Sequence, residues 1–229
     1  MNSRDLLSGR IGALAGVAFS ILLFFSVAMV NLPHAATDDA LVAWWSDDGN
    51  VTTMLASTYM QIAAGICFLV FISTLRTASA RSEGGTGTLT SFAFTAGVVF
   101  TALLLASDGT RGAIAIPLKL RDETLPDPSV LRYLPQVNYV MLGAAGGVVV
   151  SAAMTATSIL VLRTRAFGRW LGILGLICAA IVTVMALIVG PFYLPVLFVW
   201  VLATSVALWL GPSAATVNAP AAAMSAAAR

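Results

Sequence analysis

Six stretches of this chain, at approximately 11–30, 54–75, 89–107, 137–162, 170–189 and 192–210, run for about 20 residues with scarcely a charge, the length that carries a helix through ~30 Å of hydrocarbon. Where no water can satisfy a backbone amide, a segment taken singly must pair its own N–H and C=O groups, and a helix does so. The predicted fold class is therefore all-α: a polytopic membrane bundle of six transmembrane helices over 1–211. Composition agrees, with 59% hydrophobic and 10% charged residues against roughly one-quarter charged in soluble domains. The first stretch follows Arg4 and Arg10 and precedes "LPHAA", which raises a cleaved signal peptide as an alternative. Its apolar run exceeds a signal core and His34 stands where a small residue belongs, so a retained span is expected.

Basic residues are retained on the cytoplasmic side, and their distribution sets the expected orientation. With the N-terminus inside, the inner segments hold Arg4, Arg10, Arg76, Arg81, Arg163, Arg165, Arg169 and Arg229 against Asp5 and Glu83. The outer loops hold Arg111, Lys119, Arg121 and Arg132 against Asp38, Asp39, Asp47, Asp48, Asp108, Asp122, Glu123 and Asp127. Both termini are thus expected in the cytoplasm. The formal net charge of +2 is a topology signal rather than a basic patch, and no nucleic-acid partner is expected.

The connections differ in kind. "TDDALVAWWSDDGN" predicts a short amphipathic helix in the first outer loop, with Thr37 as cap, Asp38 and Asp39 in the first turn, and an end near Gly49. Leu41, Trp44 and Trp45 share one face of it. That face is read as resting at the headgroup level, with a lid or docking surface as the alternative. The second outer loop, 108–136, is predicted as the longest connection, with Asp127 capping a helix that starts at Pro128 and kinks at Pro135. The inner "RTASARSEGGTGT" reads as a flexible link and "RTRAFGR" as a basic turn. Gly190 and Pro191 alone join the last two spans, so these lie antiparallel and adjacent. The Ala-rich tail 212–229 is predicted to be disordered or weakly helical.

Asp108 and Arg111 stand three apart in "LLLASDGTRGAIAI". Counting from the start of the third span places them at the outer interface, paired on one helix face with Arg111 reaching toward the headgroups. They are read as the boundary of the third helix in preference to a site. If the helix runs on through "GAIAI", the pair is instead held rigidly at an outer mouth. Gln61 is the most polar side chain within a span proper. No charged residue falls near the centre of a span, which argues against a proton-coupled pump or a voltage sensor.

Small residues recur at four-residue spacing: Gly12, Gly16 and Ser20 in the first span; Gly143, Gly147, Ser151 and Thr155 in the fourth; Gly168 and Gly172 at the fifth. Such stripes let helix backbones approach closely, and partners within this chain are expected in preference to a second copy. "SGRIGALAG" and "FGRWLGILG" echo each other, as the repeats of a transporter would, but over nine residues two inner helix starts with a Gly-Arg boundary look the same and the echo carries little weight. The lone histidine, His34, cannot make a two-histidine metal site, and no nucleophile-elbow, zinc-protease or phosphate-loop motif is present. Cys67 and Cys178 fall within spans as small apolar groups. The adjacent loop carboxylates lack the oxygens of a dedicated calcium site. No catalytic residue, metal or cofactor is expected.

A basic N-terminus leading into "GRIGALAGVAFSILLF", an outer "DDALVAWWSDDGN", "FLVFISTLRTASARSEGG" closing the second span and "LRTRAFGRWLGILGLICAA" opening the fifth together resemble a family of six-helix integral membrane proteins common in actinobacteria and classed as a domain of unknown function. The resemblance covers about 9–210 and implies a bacterial inner-membrane protein; it carries over no catalytic residue. The function expected first is a non-enzymatic scaffold or partner subunit in the bilayer, meeting a membrane protein or a second copy through the Trp44 and Trp45 helix and the loop after Asp108. The alternative is a small transporter or channel for a neutral or amphipathic solute, with Gln61, Asp108 and Arg111 as its residues. An intramembrane enzyme ranks third.

Overall fold

The computed structural model describes residues 3–32, 37–83, 86–164 and 167–211; His34, Gly84, Gly85, Arg165 and the tail 212–229 lie outside them. Among the described residues there is no strand. The helices are α1 Ser3–Met29, α2 Asp38–Ser46, α3 Asp48–Glu83, α4 Thr88–Leu120, α5 Pro128–Val140, α6 Gly147–Thr164, α7 Arg169–Ile188 and α8 Leu194–Leu210. A π-helical turn, Met141–Gly146, joins α5 to α6, so Pro128–Thr164 is one span, and a 3-10 turn, Pro191–Tyr193, leads into α8. Six helices are long and apolar enough to cross a membrane. The protein is an all-α, multi-pass membrane protein.

The spans form a ring. α1 packs on α3, α3 on α4, α4 on α6, α6 on α7, α7 on α8, and α8 returns to α1. Aromatic side chains fill the middle: Phe68 lies 4.8 Å from Phe19 and 5.2 Å from Phe100 between ring centroids, and Phe71 lies 6.1 Å from Trp200. All five are fully buried, in the tilted and edge-on arrangements that aromatic pairs favour.

The small residues find their neighbours inside the chain. A Cβ added at Gly16 would fall 2.2 Å from Ser205 Oγ, one at Gly12 2.5 Å from Thr74 Cβ, and one at Gly147 2.4 Å from Ala186 Cβ. Gly143 faces Pro191 and Gly190, and Gly172 faces Leu162 and the Ser158 carbonyl. Within α1 the Ser20 hydroxyl is taken up by the Gly16 carbonyl, whereas between α7 and α6 the Thr183 hydroxyl donates to Ser151 Oγ at 2.9 Å. Between helices in lipid, contact and hydroxyl bonding of this kind replace the water expulsion that drives soluble cores. Gly190, at φ 77°, makes the turn from α7 into Pro191, and the Tyr193 hydroxyl then donates to the Leu142 carbonyl at 2.7 Å. That carbonyl lies within the π turn, where the α-helical ladder is interrupted.

Two helix ends show why the chain bends where it does. Asp127 caps α5 with Pro128 at its first position, its carboxylate accepting from the Ser129 amide at 2.9 Å. The Ser129 hydroxyl and amide hold that carboxyl below the usual carboxylate range. At the opposite end of the molecule Glu83 reaches forward from α3 and accepts from the Leu89 and Thr90 amides at 2.8 and 2.9 Å, satisfying amides that α4 itself leaves open. The neighbouring Thr90 hydroxyl, these two amides and Arg163 hold the Glu83 carboxyl below its ordinary value. A carboxyl depressed by folding stabilises fully above its unfolded pKa, and the contribution is lost as pH falls through the folded one. The stability difference between wild type and Glu83→Gln, followed by thermal unfolding in micelles, is therefore expected to shrink from about pH 5 toward pH 3. A difference that stays constant over that range would refute the cap.

Three expectations are corrected. The inner "RTASARSEGGTGT" is not a flexible link over most of its length, because α3 stays helical through Arg76 to Glu83 and α4 starts at Thr88. α4 does not end at Ser107; it is 33 residues long and runs on through "GAIAI" to Leu120, so the connection 108–136 reduces to the non-helical 121–127. Pro117 sits in the last turn, where its carbonyl accepts from the Arg121 and Glu123 amides. Nor does the tryptophan face of α2 rest on headgroups. Trp45 is 1% exposed and Leu41 4%, and Trp45 joins Val51, Met54, Ile114, Ala115 and Leu131 in a second apolar core, with Trp44 partly buried against it.

Candidate functional site

The second core changes what surrounds Asp108 and Arg111. α3 and α4, at 36 and 33 residues, are each about 50 Å long and overshoot a hydrocarbon layer of ~30 Å. Their excess at the α2 end, with α2 and α5, builds a cap around that second core. Between the cap and the main body runs a buried polar layer. Each helix that crosses it reads apolar, polar, apolar: Leu104, then Ser107, Asp108 and Arg111, then Ile114 on α4; Met54, then Ser57, Thr58 and Gln61, then Ala64 on α3; Leu23 and then Ser26 on α1, followed by Val30 against the cap core. On the fourth-span side, Leu131 in the cap and Leu142 in the body flank Asn138.

Within the layer the hydrogen bonds converge on Gln61. Its Oε1 accepts from an Arg111 guanidinium nitrogen at 2.9 Å and from the Ser26 hydroxyl at 3.2 Å, and its Nε2 donates to the Leu104 carbonyl at 3.4 Å. Ser26 and Ser57 are 3.0 Å apart, and the Ser57 hydroxyl donates to the Ser26 carbonyl at 2.9 Å. The Asn138 amide donates to the Ser107 carbonyl at 2.8 Å. Arg111 and Asp108 approach at 3.5 Å with side chains 11% and 1% exposed.

The pair therefore faces into the bundle and not toward headgroups. Burial of both charges costs several kcal/mol per ion unless each is paired and hydrogen-bonded. Here the compensation is uneven: Arg111 Nε, Asp108 Oδ2 and Thr58 Oγ1 are buried with no hydrogen-bond partner. The structure unites Asp108, Arg111 and Gln61; Trp45 lies in the cap, while Gly12, Gly16, Ser20, Gly143, Gly147 and Ser151 serve packing elsewhere. Ser26, Ser57, Thr58, Ser107 and Asn138 escape a reading of the sequence residue by residue. One signal could have found most of them. "STYMQ" on α3 and "SDGTR" on α4 place polar side chains at i, i+1 and i+4 in two antiparallel neighbours, which brings the two sets to one level.

A groove opens beside this layer between α3 and α4. Its volume is about 330 Å³, and it is lined by Thr58 and Ile62 from α3 and by Leu105, Asp108, Gly109, Gly112 and Ile116 among others from α4, with Arg121 at the cap end. Chemically, the layer offers hydrogen-bond acceptors and a fixed guanidinium. Its serine hydroxyls are bound to each other, to backbone carbonyls and to Gln61, none of which takes up a proton. Among the described residues no group of three His, Cys, Asp or Glu could hold a metal ion. No family model, curated protein or solved structure matches the chain.

Proposed function

We propose that the protein is a non-enzymatic scaffold or partner subunit of a bacterial plasma membrane, which presents its cap and the adjoining α5 to a neighbouring membrane protein. The carrying observation is on α5: Val130, Tyr133, Val137 and Val140 are all exposed and fall at i, i+3, i+7 and i+10, which is one helix face. The cap beneath is braced for such a role by its own apolar core and by the ion pairs Lys119 with Asp48 and Arg132 with Asp38. The aromatic filling of the ring supports this reading over passage of a solute through the middle. A second reading, a small transporter or channel for a neutral or amphipathic solute, is favoured by one observation, the lateral groove between α3 and α4.

In this proposal the cap is outside and both termini are cytoplasmic, supported by Arg10, Arg76, Arg163 and Arg169 at the end opposite α2. In a Cys67→Ala, Cys178→Ala background, cysteine at Ser46 is expected to react with an impermeant reagent in intact cells, and cysteine at Thr86 only after permeabilisation. The reverse pattern would overturn the orientation. The partner is tested by affinity capture from gently solubilised native membranes: one stoichiometric protein with wild type, lost with Tyr133→Glu. Wild type recovered alone, or a companion retained by the variant, would refute the α5 interface.

A further inference from the structure

A second groove between α3 and α4 lies at the opposite end from the cap. Its volume is about 550 Å³, and Ser73, Arg76, Thr77 and Ala80 of α3 line it together with Phe94 of α4. Arg76 stands seven residues short of the end of α3 and Phe94 six past the start of α4, so both lie about 10 Å from the connecting loop. The apolar run of α3 ends beside them at Leu75, which sets the guanidinium at the edge of the hydrocarbon, where the bilayer's phosphodiester groups begin. The face of α3 makes the same change from chain to head. Ile66, Val70, Ser73 and Thr77 are all exposed and fall at i, i+4, i+7 and i+11, two apolar positions and then two hydroxyls on one helix face.

The charge of Arg76 is unmatched. Lys119, Arg121 and Arg132 at the cap end pair with Asp48, Glu123 and Asp38, and Arg111 pairs with Asp108. Among the described residues no carboxylate pairs with Arg76 and no oxygen accepts from it; its contact is the Phe94 ring, whose centroid lies 4.7 Å from the guanidinium carbon. Glu83 is committed to the Leu89 and Thr90 amides. The ring attracts the cation and leaves its N–H donors free. The Thr77 hydroxyl donates to the Ser73 carbonyl at 3.0 Å, while the exposed Ser73 hydroxyl has no partner among the described residues. Two oxygens of a phosphodiester fit the planar guanidinium fork, and Ser73 adds a further donor. A head carrying its own ammonium would set a second cation beside Arg76, with no carboxylate in the lining to receive it. An anionic head bearing only hydroxyls avoids that repulsion. We propose that this groove binds an anionic phospholipid of the phosphatidylglycerol class, its phosphodiester on Arg76 and Ser73 and an acyl chain along Val70 and Ile66.

The test is native mass spectrometry of the full-length protein released from nonionic micelles that carry dioleoylphosphatidylglycerol and dioleoylphosphatidylcholine in equal amounts. One phosphatidylglycerol per chain is expected to stay bound in preference to phosphatidylcholine. Arg76→Gln should lower that retention about tenfold, the loss of hydrogen bonds to a charged partner, and as an exposed substitution should leave the thermal midpoint close to wild type. Arg76→Lys, which keeps the charge without the fork, should recover part of the loss. Arg169→Gln, at an exposed arginine of the same end that lies outside the groove lining, should retain the lipid as wild type does. Equal retention of the two lipids, or undiminished binding by Arg76→Gln, would overturn the proposal. So would a loss as large in Arg169→Gln, which marks diffuse attraction to a basic end, or displacement by an equimolar amount of glycerol 3-phosphate, which marks a site for a soluble phosphate.

Discussion

Arg111→Met is expected to destabilise the protein by about 3–5 kcal/mol, the cost of leaving a buried charge without its partner. The substitution keeps an unbranched chain of similar reach, so packing changes little. It strands Asp108 in a place 1% exposed and removes the donor at 2.9 Å from Gln61 Oε1. The double variant Asp108→Asn, Arg111→Met removes both charges and should recover most of the loss, because replacing a buried pair by neutral groups is often close to neutral. Reversible unfolding in mixed micelles titrated with denaturing detergent measures both. A double variant as unstable as the single one would mean that Asp108 and Arg111 are not energetically coupled.

Gly147→Val is expected to loosen the α6–α7 contact and cost about 1–3 kcal/mol, the usual range for overfilling a tight core. Its Cβ would stand 2.4 Å from Ala186 Cβ and 2.7 Å from the Tyr193 ring. Neither neighbour is a flexible chain end, and Tyr193 is fixed by its bond to Leu142. Gly109→Ala is the matched control on another helix, where a Cβ meets nothing within 4 Å and a better helix former adds up to about 1 kcal/mol. Thermal midpoints in the same micelle should move in opposite directions. Equal shifts would show that glycine loss as such, and not the close approach, sets the effect.

What the sequence made legible and what it hid follow from the range of the forces involved. Spans announce themselves because lipid demands unbroken apolar runs, and the caps at Thr37 and Asp127 are read easily because a cap is a contact between near neighbours. The stripe through Gly143, Gly147 and Ser151 is equally local, although its counterparts Pro191, Ala186 and Thr183 are not. Asp108 and Arg111 misled because charges inside an apolar run look like its end. Their true setting depends on Gln61, Ser57 and Ser26, brought to the same level by two other helices across 47 to 85 positions of chain. Trp45 misled for a related reason. Interfacial tryptophan is the common case, and nothing local reveals that Leu131 and Ile114 close over it.

The return of α8 to α1 has a consequence for biogenesis. Gly9 abuts the Leu208 carbonyl, Gly16 abuts Ser205 and Arg10 lies 5.3 Å from the Trp209 ring. During synthesis α1 therefore waits for α8 before one of its sides is covered, while its other side is taken earlier by α3. Until α8 is in place the ring is an open arc, with one flank of α1 and one of α7 uncovered. A chain stopped before Leu194 would keep the Gly16 flank bare.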